Sequence, residues 1–271
     1  MDEIEYRPYE GKGLWAVILG GSSGMGWAAA EQLAKSGMNL CLVYRERRAR
    51  LKAIQPNIDG WRKQGLKVLT FNKDAGNVEQ MKTVLSVLKT EKAKKDKVHV
   101  LLHSVARGNL KPMIAPEGES ELETEDFQLT IDAMAVSWYR WSKAILEESL
   151  FSADARLLAF TSEGSHRAWP GYGAVAAAKS VMESLMRNMA LELAPAGIRC
   201  NLLQPGVTDT PSLRMIPGSE DMIAQSEQRN PYKRLTTTEE VGKVVDLMCR
   251  EESAWINGAI IPVDGGESIS G

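Results

Sequence analysis

The sequence predicts one α/β domain built on a doubly wound parallel sheet of about seven strands. Short apolar runs alternate with longer amphipathic segments along the chain, a pattern that is typical of βαβ units. The apolar runs lack strict alternation with polar residues, as expected for strands that are buried on both faces. The 271 residues contain no internal repeat and no linker rich in Pro, Gly or Ser. We therefore predict a single domain over residues 1–271, which includes an N-terminal extension, residues 1–13.

The individual elements are predicted from local pattern and from residues that start or stop helices. Seven apolar runs have the composition of strands: Leu14–Leu19, Leu40–Tyr44, Lys67–Phe71, His99–His103, Leu157–Thr161, Arg199–Leu203 and Ala259–Val263. The segments between them predict helices: Gly24–Ser36, Arg47–Lys63, Val78–Lys92, Thr124–Glu148, Gly173–Leu193 and Thr238–Arg250. Gly37 suits the C′ position after the first helix. Glu239 and Glu240 suit the first turn of the last helix, where the helix dipole favours acidic side chains.

Composition excludes several classes of protein. The chain has 33 Lys+Arg against 35 Asp+Glu, so it lacks the basic excess that is typical of nucleic-acid binding. Three cysteines without a C-x-x-C pair and three histidines without an H-E-x-x-H pair indicate neither disulfides nor a metal site. Met1–Gly13 is polar and acidic, unlike a secretory signal, and no apolar run is long enough to span a membrane. We expect a cytoplasmic protein that acts apart from membranes.

A glycine-rich loop joins the first predicted strand to the first predicted helix. It reads Gly20-Gly21-Ser22-Ser23-Gly24-Met25-Gly26. Such a loop needs glycine for the tight turn, for close approach of the backbone to a pyrophosphate and for packing of the helix on the strand. The amides that begin the helix then bind the anion. This context predicts dinucleotide binding in a Rossmann-type fold, with cofactor contacts from Gly20, Ser22, Ser23, Gly24, Met25 and Gly26.

The end of the second predicted strand indicates which dinucleotide is bound. It reads Tyr44-Arg45-Glu46-Arg47-Arg48, with no carboxylate at the first two positions. An acidic residue at this strand end holds the ribose 2′-hydroxyl of NAD, whereas an arginine suits a 2′-phosphate. Arg45 therefore favours NADPH over NADH as the cofactor. A basic helix start is the alternative interpretation of these arginines.

Several further segments carry a resemblance to a known family. They are the spacing Gly20-x3-Gly24-x-Gly26, the segment Asn201–Thr210 with its Pro-Gly step, and Gly258 followed by Val263-Asp264-Gly265-Gly266. Ser162 and Lys179 also lie seventeen residues apart. Together these resemble the short-chain dehydrogenase/reductase family over almost the whole chain. The resemblance implies an NAD(P)(H)-dependent oxidoreductase with Ser162 and Lys179 in the catalytic site, and further cofactor contacts from Asp74, Ala75, Lys179, Pro205, Gly206, Val207 and Thr208.

The position of the tyrosine departs from the usual pattern of that family. The catalytic tyrosine usually precedes the lysine by four residues, but Val175 occupies that place and Tyr172 is the available tyrosine. Four residues turn a helix by about 400° and seven by about 700°, so either spacing leaves both side chains roughly on one face. Tyr-x6-Lys resembles the enoyl-acyl-carrier-protein reductases. The segments His103-Ser104-Val105-Ala106 and Thr161–Arg167 resemble the same reductases and their NADPH-using branch, which implies cofactor contacts from His103 and Ser104.

This resemblance implies reduction of the C=C bond of a trans-2-enoyl thioester, as in fatty-acid synthesis. Hydride delivered to the β-carbon places negative charge on the thioester carbonyl oxygen, and a donor aimed at that oxygen stabilises it. Tyr172 would bind and protonate the enolate, and a nearby Lys179 ammonium would favour the ionised phenol and ease proton donation. A ketone reductase needs its donor one bond nearer the carbon that receives hydride. The displaced tyrosine therefore predicts the conjugated acceptor.

One dinucleotide fold occupies the whole chain, so two long connections have to hold the substrate: residues 107–122 and a substrate-covering loop region, residues 208–235. Leu213, Met215 and Ile216 are candidates for an apolar acyl channel, with core packing as the alternative. Four basic residues are candidates for a rim that attracts an acidic acyl carrier protein: Arg214, Arg229, Lys233 and Arg234. The family resemblance also implies a homotetramer, through the helix that carries Trp138 and Trp141.

Some interpretations stay open at this point. Asp132 approximates the place of the family's helix-bending asparagine, and an alternative register puts Met134 there. The protein could instead be a short-chain carbonyl reductase, or an ene-reductase of a specialised pathway. A third interpretation is a non-enzymatic dinucleotide-binding regulator, which requires the fold but neither Tyr172 nor Lys179.

Overall fold

The computed structural model describes residues 6–270; residues 1–5 of the predicted N-terminal extension and Gly271 lie outside the described residues. All seven strands are parallel and form one sheet in the order β3-β2-β1-β4-β5-β6-β7. The strands are β1 (Leu14–Leu19), β2 (Asn39–Tyr44), β3 (Val68–Asn72), β4 (Lys97–His103), β5 (Phe151–Phe160), β6 (Arg199–Pro205) and β7 (Ile260–Val263). The predicted fold class is confirmed, and β5 begins six residues earlier than predicted.

Helices connect the strands and cover both faces of the sheet. They are α1 (Gly24–Lys35), α2 (Arg48–Lys63), α3 (Val78–Glu91), α4 (Thr124–Ile131), α5 (Ser137–Glu147), α6 (Gly173–Glu192), α7 (Ser219–Arg229) and α8 (Thr238–Met248). Gly37 has a φ of +86°, as its predicted C′ position requires. At the start of α8, Thr237 and Glu240 form a capping box. Helix α7 was not predicted, because its sequence is polar around most of its circumference.

The predicted helix Thr124–Glu148 is interrupted. Residues Asp132–Val136 form a single π-helical turn between α4 and α5. A π-turn adds a residue to the helical circuit and changes which side chains face the sheet. This irregularity decides whether Asp132 or Met134 faces the site.

The core is divided into two layers by the sheet. On β1, Trp15, Val17 and Leu19 pack in one layer. Ala16 and Ile18 pack in the other. Successive side chains of a strand point to opposite faces, so a strand covered on both sides is apolar at every position. This explains why the strands could be recognised without alternation.

Trp138 and Trp141 belong to the first of these layers, and both are fully buried. The indole N–H of Trp141 donates to Ala75 O at 2.8 Å. Trp138 and Trp141 therefore fill the core of one chain, and the subunit interface expected on this helix would have to use other side chains. The large apolar side chains of α4 and α5 that do face outward are Leu129 and Tyr139. In the described part of the chain, no helix combines the length and the apolar character needed to cross a membrane.

Candidate active site

A cavity of about 900 Å³ opens at the carboxyl ends of the central strands. In the sheet, β1 lies between β2 and β4, so the connections that follow β1 and β4 run in opposite directions along the sheet. Such a switch in strand order creates a crevice at the carboxyl ends of a parallel sheet. The cavity is lined by every residue that the sequence predicts for the site except Gly26: Gly20, Ser22, Ser23, Gly24, Met25, Arg45, Asp74, Ala75, His103, Ser104, Ser162, Tyr172, Lys179, Pro205, Gly206, Val207, Thr208, Leu213, Met215 and Ile216.

The glycine loop has no room for side chains at its two ends. Gly20 has a φ of +84°, and a Cβ there would lie 2.2 Å from Ser104 O. A Cβ on Gly26 would lie 2.3 Å from Gly20 O, inside the loop rather than in the cavity. Gly26 therefore serves the close packing of α1 on the loop and does not line the site. The loop delivers the N-terminus of α1 to the cavity, where its amides can bind an anion.

Tyr172 and Ser162 are brought together at the cavity wall. Tyr172 is the residue that precedes α6, and Ser162 follows β5. Gly164 lies between them: a Cβ there would come within 2.5 Å of Tyr172 Cε1 and 3.4 Å of Ser162 Oγ. Burial raises the pKa of the Tyr172 phenol, and the Ser162 hydroxyl opposes this rise. The phenol therefore stays protonated at neutral pH.

Lys179 lies on α6 in the same wall and is 8% exposed. Its ammonium donates to Phe160 O at 2.5 Å. Burial lowers the pKa of Lys179 to about 8, against an opposing effect of the Glu183 carboxylate. The expectation that Lys179 lowers the pKa of Tyr172 is not met, since burial dominates at Tyr172 and Ser162 is the group that opposes it.

Val175 fills the place where the family usually has its tyrosine. Its side chain is buried and lines the cavity. A Cβ on Gly108 would lie 2.6 Å from Val175 Cγ2, so this part of the wall is already closely packed. The tyrosine that lines this wall is Tyr172, as the sequence predicts, and Tyr44 lines the cavity at the end of β2.

His103 ends β4 beneath the cavity and is 1% exposed. The Ser137 hydroxyl donates to Ala133 O at 2.8 Å, so it accepts from His103 Nε2–H, also at 2.8 Å. His103 Nδ1 is then a bare acceptor, and it has no hydrogen-bond partner among the described residues. Burial, reinforced by the Lys179 charge, lowers the pKa of His103 to about 3. The imidazole is therefore neutral.

The π-turn settles which residue of the fourth helical segment faces the site. Met134 is buried and lines the cavity. Asp132 points away and accepts from Arg140 at 2.5 Å. Asp132 therefore does not act at the site, and the register that places Met134 there is the observed one. No side-chain amide occupies this position, so the family's asparagine has no direct equivalent here.

Charged residues surround the mouth of the cavity at the end of β2. Arg107 donates to Asp74 Oδ2 at 2.8 Å, and Arg45 lies 3.8 Å from the same oxygen. Glu46 accepts from Ser22 Oγ at 3.1 Å. Glu46 and Arg107 were not predicted as site residues, although they lie in the loops after β2 and β4 and the carboxyl ends of parallel strands meet at one edge.

The opposite end of the cavity is more apolar. The covering region contributes Leu213, Ile216 and the largely exposed Met215, together with Met222 of α7. Trp169 also lines this end and was not predicted. From the connection 107–122, the cavity is lined by Arg107, Gly108 and Leu110, whereas its acidic stretch lies elsewhere.

The candidate basic rim is largely neutralised within the chain. Arg214 makes two hydrogen bonds to Asp209, and Arg234 makes two to Glu240. Arg229 is 11% exposed and donates to carboxylates inside the molecule. Arg229 is thus unavailable for an external partner, and the interpretation of this residue as part of a docking rim is wrong.

The sequence of this chain is similar to that of a known enzyme family. A family model described as enoyl-(acyl carrier protein) reductase matches residues 20–268. The chain belongs to the short-chain dehydrogenase/reductase family. This confirms the predicted family and its resemblance to enoyl reductases. The protein is therefore an oxidoreductase of that family, and a nicotinamide dinucleotide is its cofactor.

Among individual short-chain dehydrogenases/reductases, a tropinone reductase homologue from Arabidopsis thaliana is 28% identical over 264 residues, 96% of this chain and 92% of the relative. The NADH-dependent enoyl-acyl-carrier-protein reductase of Escherichia coli K12 is 32% identical over 146 residues, 54% of this chain and 55% of the relative. The structure of an NADH-dependent enoyl-acyl-carrier-protein reductase from Aquifex aeolicus superposes with a TM-score of 0.82 at 21% identity, covering 97% of this chain and 98% of that one. The last similarity establishes the fold alone.

The residues present fit a nicotinamide dinucleotide. The loop before α1 offers backbone amides and glycine positions that exclude side chains. His103 Nδ1 offers a buried acceptor without a partner among the described residues. A dinucleotide brings phosphates that accept and hydroxyl and amide groups that donate, so both features match it. Lys179, at the inner wall, is the residue that the family uses for the ribose hydroxyls.

Proposed function

We propose that this protein is an NAD(P)H-dependent carbonyl reductase that binds the carbonyl oxygen of its acceptor between the hydroxyls of Ser162 and Tyr172. The supporting observation is that Ser162 and Tyr172 both line the cavity and both pack against Gly164, which brings the two hydroxyl-bearing side chains together. Two hydroxyl donors at one point suit an oxygen on which a full negative charge develops. The bound cofactor would supply the hydride. The names of the relatives that extend over the whole chain, such as the tropinone reductase homologue, support a carbonyl acceptor.

Residues of the cavity have separate roles in the proposed reduction. Tyr172, kept protonated by burial, donates its proton to the carbonyl oxygen as charge develops there. Ser162 donates a second hydrogen bond to the same oxygen. Lys179 carries a charge below pH 8 and, at the inner wall, would hold the ribose hydroxyls of the cofactor. The phenolate that Tyr172 leaves then recovers a proton from solvent before the next turnover. The apolar wall formed by Leu213, Ile216 and Met222 excludes water and favours an acceptor with an apolar body.

Reduction of an enoyl thioester is the second candidate, and a specific observation favours it. Tyr172 precedes Lys179 by seven residues, and Val175 occupies the usual tyrosine position. The phenol is therefore displaced toward the start of α6, as the conjugated acceptor requires. The description of the matching family model and the E. coli relative also support it, although that relative covers about half of the chain.

For the cofactor we propose NADPH in preference to NADH. Two arginines, Arg45 and Arg107, meet one carboxylate, Asp74, at the mouth of the cavity. This excess of positive charge suits a 2′-phosphate. The Glu46 carboxylate beside Ser22 opposes binding of a 2′-phosphate, so the preference for NADPH is expected to be moderate.

We also propose that the protein assembles as a homotetramer through the exposed face of α4 and α5 that carries Leu129 and Tyr139.

A conjugated enone tests the reaction because it offers both bonds in one molecule. With 2-cyclohexenone and NADPH, carbonyl reduction yields the allylic alcohol and C=C reduction yields the saturated ketone. We expect the allylic alcohol, with acetoacetyl thioester turned over and crotonyl thioester not. The saturated ketone together with crotonyl turnover would establish the second candidate instead.

Variants locate the chemistry within the site. Ser162→Ala is expected to lower kcat by about 10²-fold, in line with loss of one oxyanion donor. Tyr172→Phe is expected to abolish turnover, while the dissociation constant of NADPH stays within about twofold of wild type. Tight NADPH binding without turnover of any acceptor, by wild type as well, would point to the dinucleotide-binding regulator.

A further inference from the structure

A cluster of one guanidinium and two carboxylates lies at the wall of the cavity, and both carboxylates, those of Glu163 and Glu267, line it. Arg229, the last residue of α7, donates to both oxygens of Glu163 at 2.9 and 2.7 Å and to Glu267 Oε1 at 2.8 Å. The side chains of Arg229, Glu163 and Glu267 are 11%, 18% and 2% exposed. We call these three residues the Glu163–Arg229–Glu267 cluster. Charges this deeply buried are retained only when they are fully paired.

Each member of the cluster belongs to a different part of the site. Glu163 follows Ser162 directly. Glu267 Oε2 accepts from the Val207 amide at 3.1 Å, and a Cβ on Gly206 would lie 2.7 Å from it. Arg229 ends the helix whose Met222 lines the cavity. One guanidinium therefore joins the substrate cover (residues 213–229) to the catalytic loop (residues 161–172, between β5 and α6) and to the loop expected to meet the nicotinamide.

In the described part of the chain, Arg229 is the only side chain of α7 that forms a hydrogen bond or ion pair, and Met222 and Ser226 supply the buried contact of this helix. The next residue, Asn230, is fixed separately, since its side-chain amide donates to Asp264 O at 2.9 Å. Loss of Arg229 would therefore leave the chain after α7 in place. It would leave the buried Glu267 carboxylate without its cation and Glu163 with only the half-exposed Arg167, so the link between α7 and these two carboxylates would be lost. The helix itself would then be free to move away from the catalytic loop.

From this geometry we propose that Arg229 is a positioning residue that holds the substrate cover, residues 213–229, against the catalytic loop. The acceptor then binds to a wall that is already assembled, so less conformational entropy is lost on binding. The proposal rests on the proposed function only in that the cavity takes an organic acceptor. It predicts that Arg229 controls the KM of the acceptor more than kcat or the affinity for the dinucleotide.

The test compares Arg229→Met with Arg167→Met as a matched control. Arg167 donates to the same Glu163 carboxylate at 3.1 Å, but it is half exposed, it does not line the cavity, and it lies outside α7. Three quantities are measured: hydrogen–deuterium exchange of residues 213–229, the dissociation constant of NADPH, and KM and kcat for an acceptor. Arg229→Lys is measured beside them, because it keeps the charge and loses the bidentate fork.

We expect Arg229→Met to speed exchange in residues 213–229 by about tenfold or more and to raise the KM of the acceptor by about tenfold. The dissociation constant of NADPH should change by less than about threefold, and Arg167→Met should match wild type in all three. If Arg229→Met does not fold, Arg229→Lys is used instead, and we expect it to raise the exchange rate of residues 213–229 and the KM of the acceptor by about threefold each. Exchange equal to that of Arg167→Met, or equal losses of acceptor and NADPH affinity, would overturn the proposal. If no acceptor is reduced, the proposed function fails, and the exchange data still decide the role of Arg229.

Discussion

The contact between Gly164 and the ring of Tyr172 offers a direct test of how closely the phenol is held. A Cβ on Gly164 would lie 2.5 Å from Tyr172 Cε1 and 3.0 Å from Cδ1. Carbon atoms rest about 3.5–4.0 Å apart, so Gly164→Ala must displace the ring by about 1 Å. The φ of Gly164 is not positive, so alanine adds no backbone strain there. The substitution acts on the position of Tyr172 alone.

A displacement of about 1 Å in a catalytic group typically lowers turnover by about 10²-fold. We therefore expect Gly164→Ala to lower kcat by about that factor, with the dissociation constant of NADPH unchanged. Overpacking should also lower the free energy of unfolding by about 1–3 kcal/mol. The assay follows oxidation of NADPH with the best acceptor, beside urea unfolding of the same preparation.

Gly60→Ala is the matched control, because it adds the same methyl group inside α2, where no atom lies within 4 Å of the new Cβ. It should leave kcat unchanged and raise the free energy of unfolding by about 0.5–1 kcal/mol. Wild-type kcat in Gly164→Ala would refute the reasoning, because the phenol would then tolerate a move of about 1 Å and could not be a closely placed donor.

The remaining predictions concern charge and backbone. Because burial lowers the pKa of Lys179 from 10.5 to about 8, its charge destabilises the fold at neutral pH. Lys179→Met should raise the free energy of unfolding at pH 7 by about 1–3 kcal/mol, and this difference should vanish as pH rises from 8 to 10.5; a constant difference would contradict it. Gly20→Ala should abolish NADPH binding, whereas Gly118→Ala, with a similar φ of +87° and no atom within 4 Å, should only lower stability by about 1–2 kcal/mol. The hydrogen bond from Arg234 holds the pKa of Glu240 at about 2, so its contribution is present above pH 4.5 and lost as pH falls toward 2. Glu240→Ala should therefore lower the free energy of unfolding by about 1 kcal/mol at pH 7 and by nothing near pH 2, as urea unfolding at the two pH values would reveal.

Most of the fold could be predicted because its signals are local. The strands are apolar at every position, and Gly37 and Glu240 mark the ends of helices by their own chemistry. Tyr172 could be predicted in the same way, because Lys179 lies at helical spacing on the same element. Helix α7 escaped prediction because it packs through a narrow face that includes Met222 and Ser226, too few apolar residues to reveal a period.

Other features depend on residues that are far apart in the chain. Whether Asp132 or Met134 faces the cavity depends on a π-turn, and nothing in the local sequence distinguishes the two registers. A tryptophan such as Trp138 suits a subunit interface as well as a core, so its identity in the sequence does not distinguish the two. Only its packing against the sheet places it inside the chain.

The chemistry of the site shows the same division. The sequence alone determined that Tyr172 lies at the start of the helix that carries Lys179 and that glycines open a loop for a dinucleotide, since both are relations between near neighbours. Only the tertiary structure placed Ser162 beside Tyr172, raised the pKa of that phenol by burial, and joined Glu163, Arg229 and Glu267 in one buried cluster. Burial and ion pairing are properties of the assembled layers, and chain segments far apart in sequence create them only when they meet.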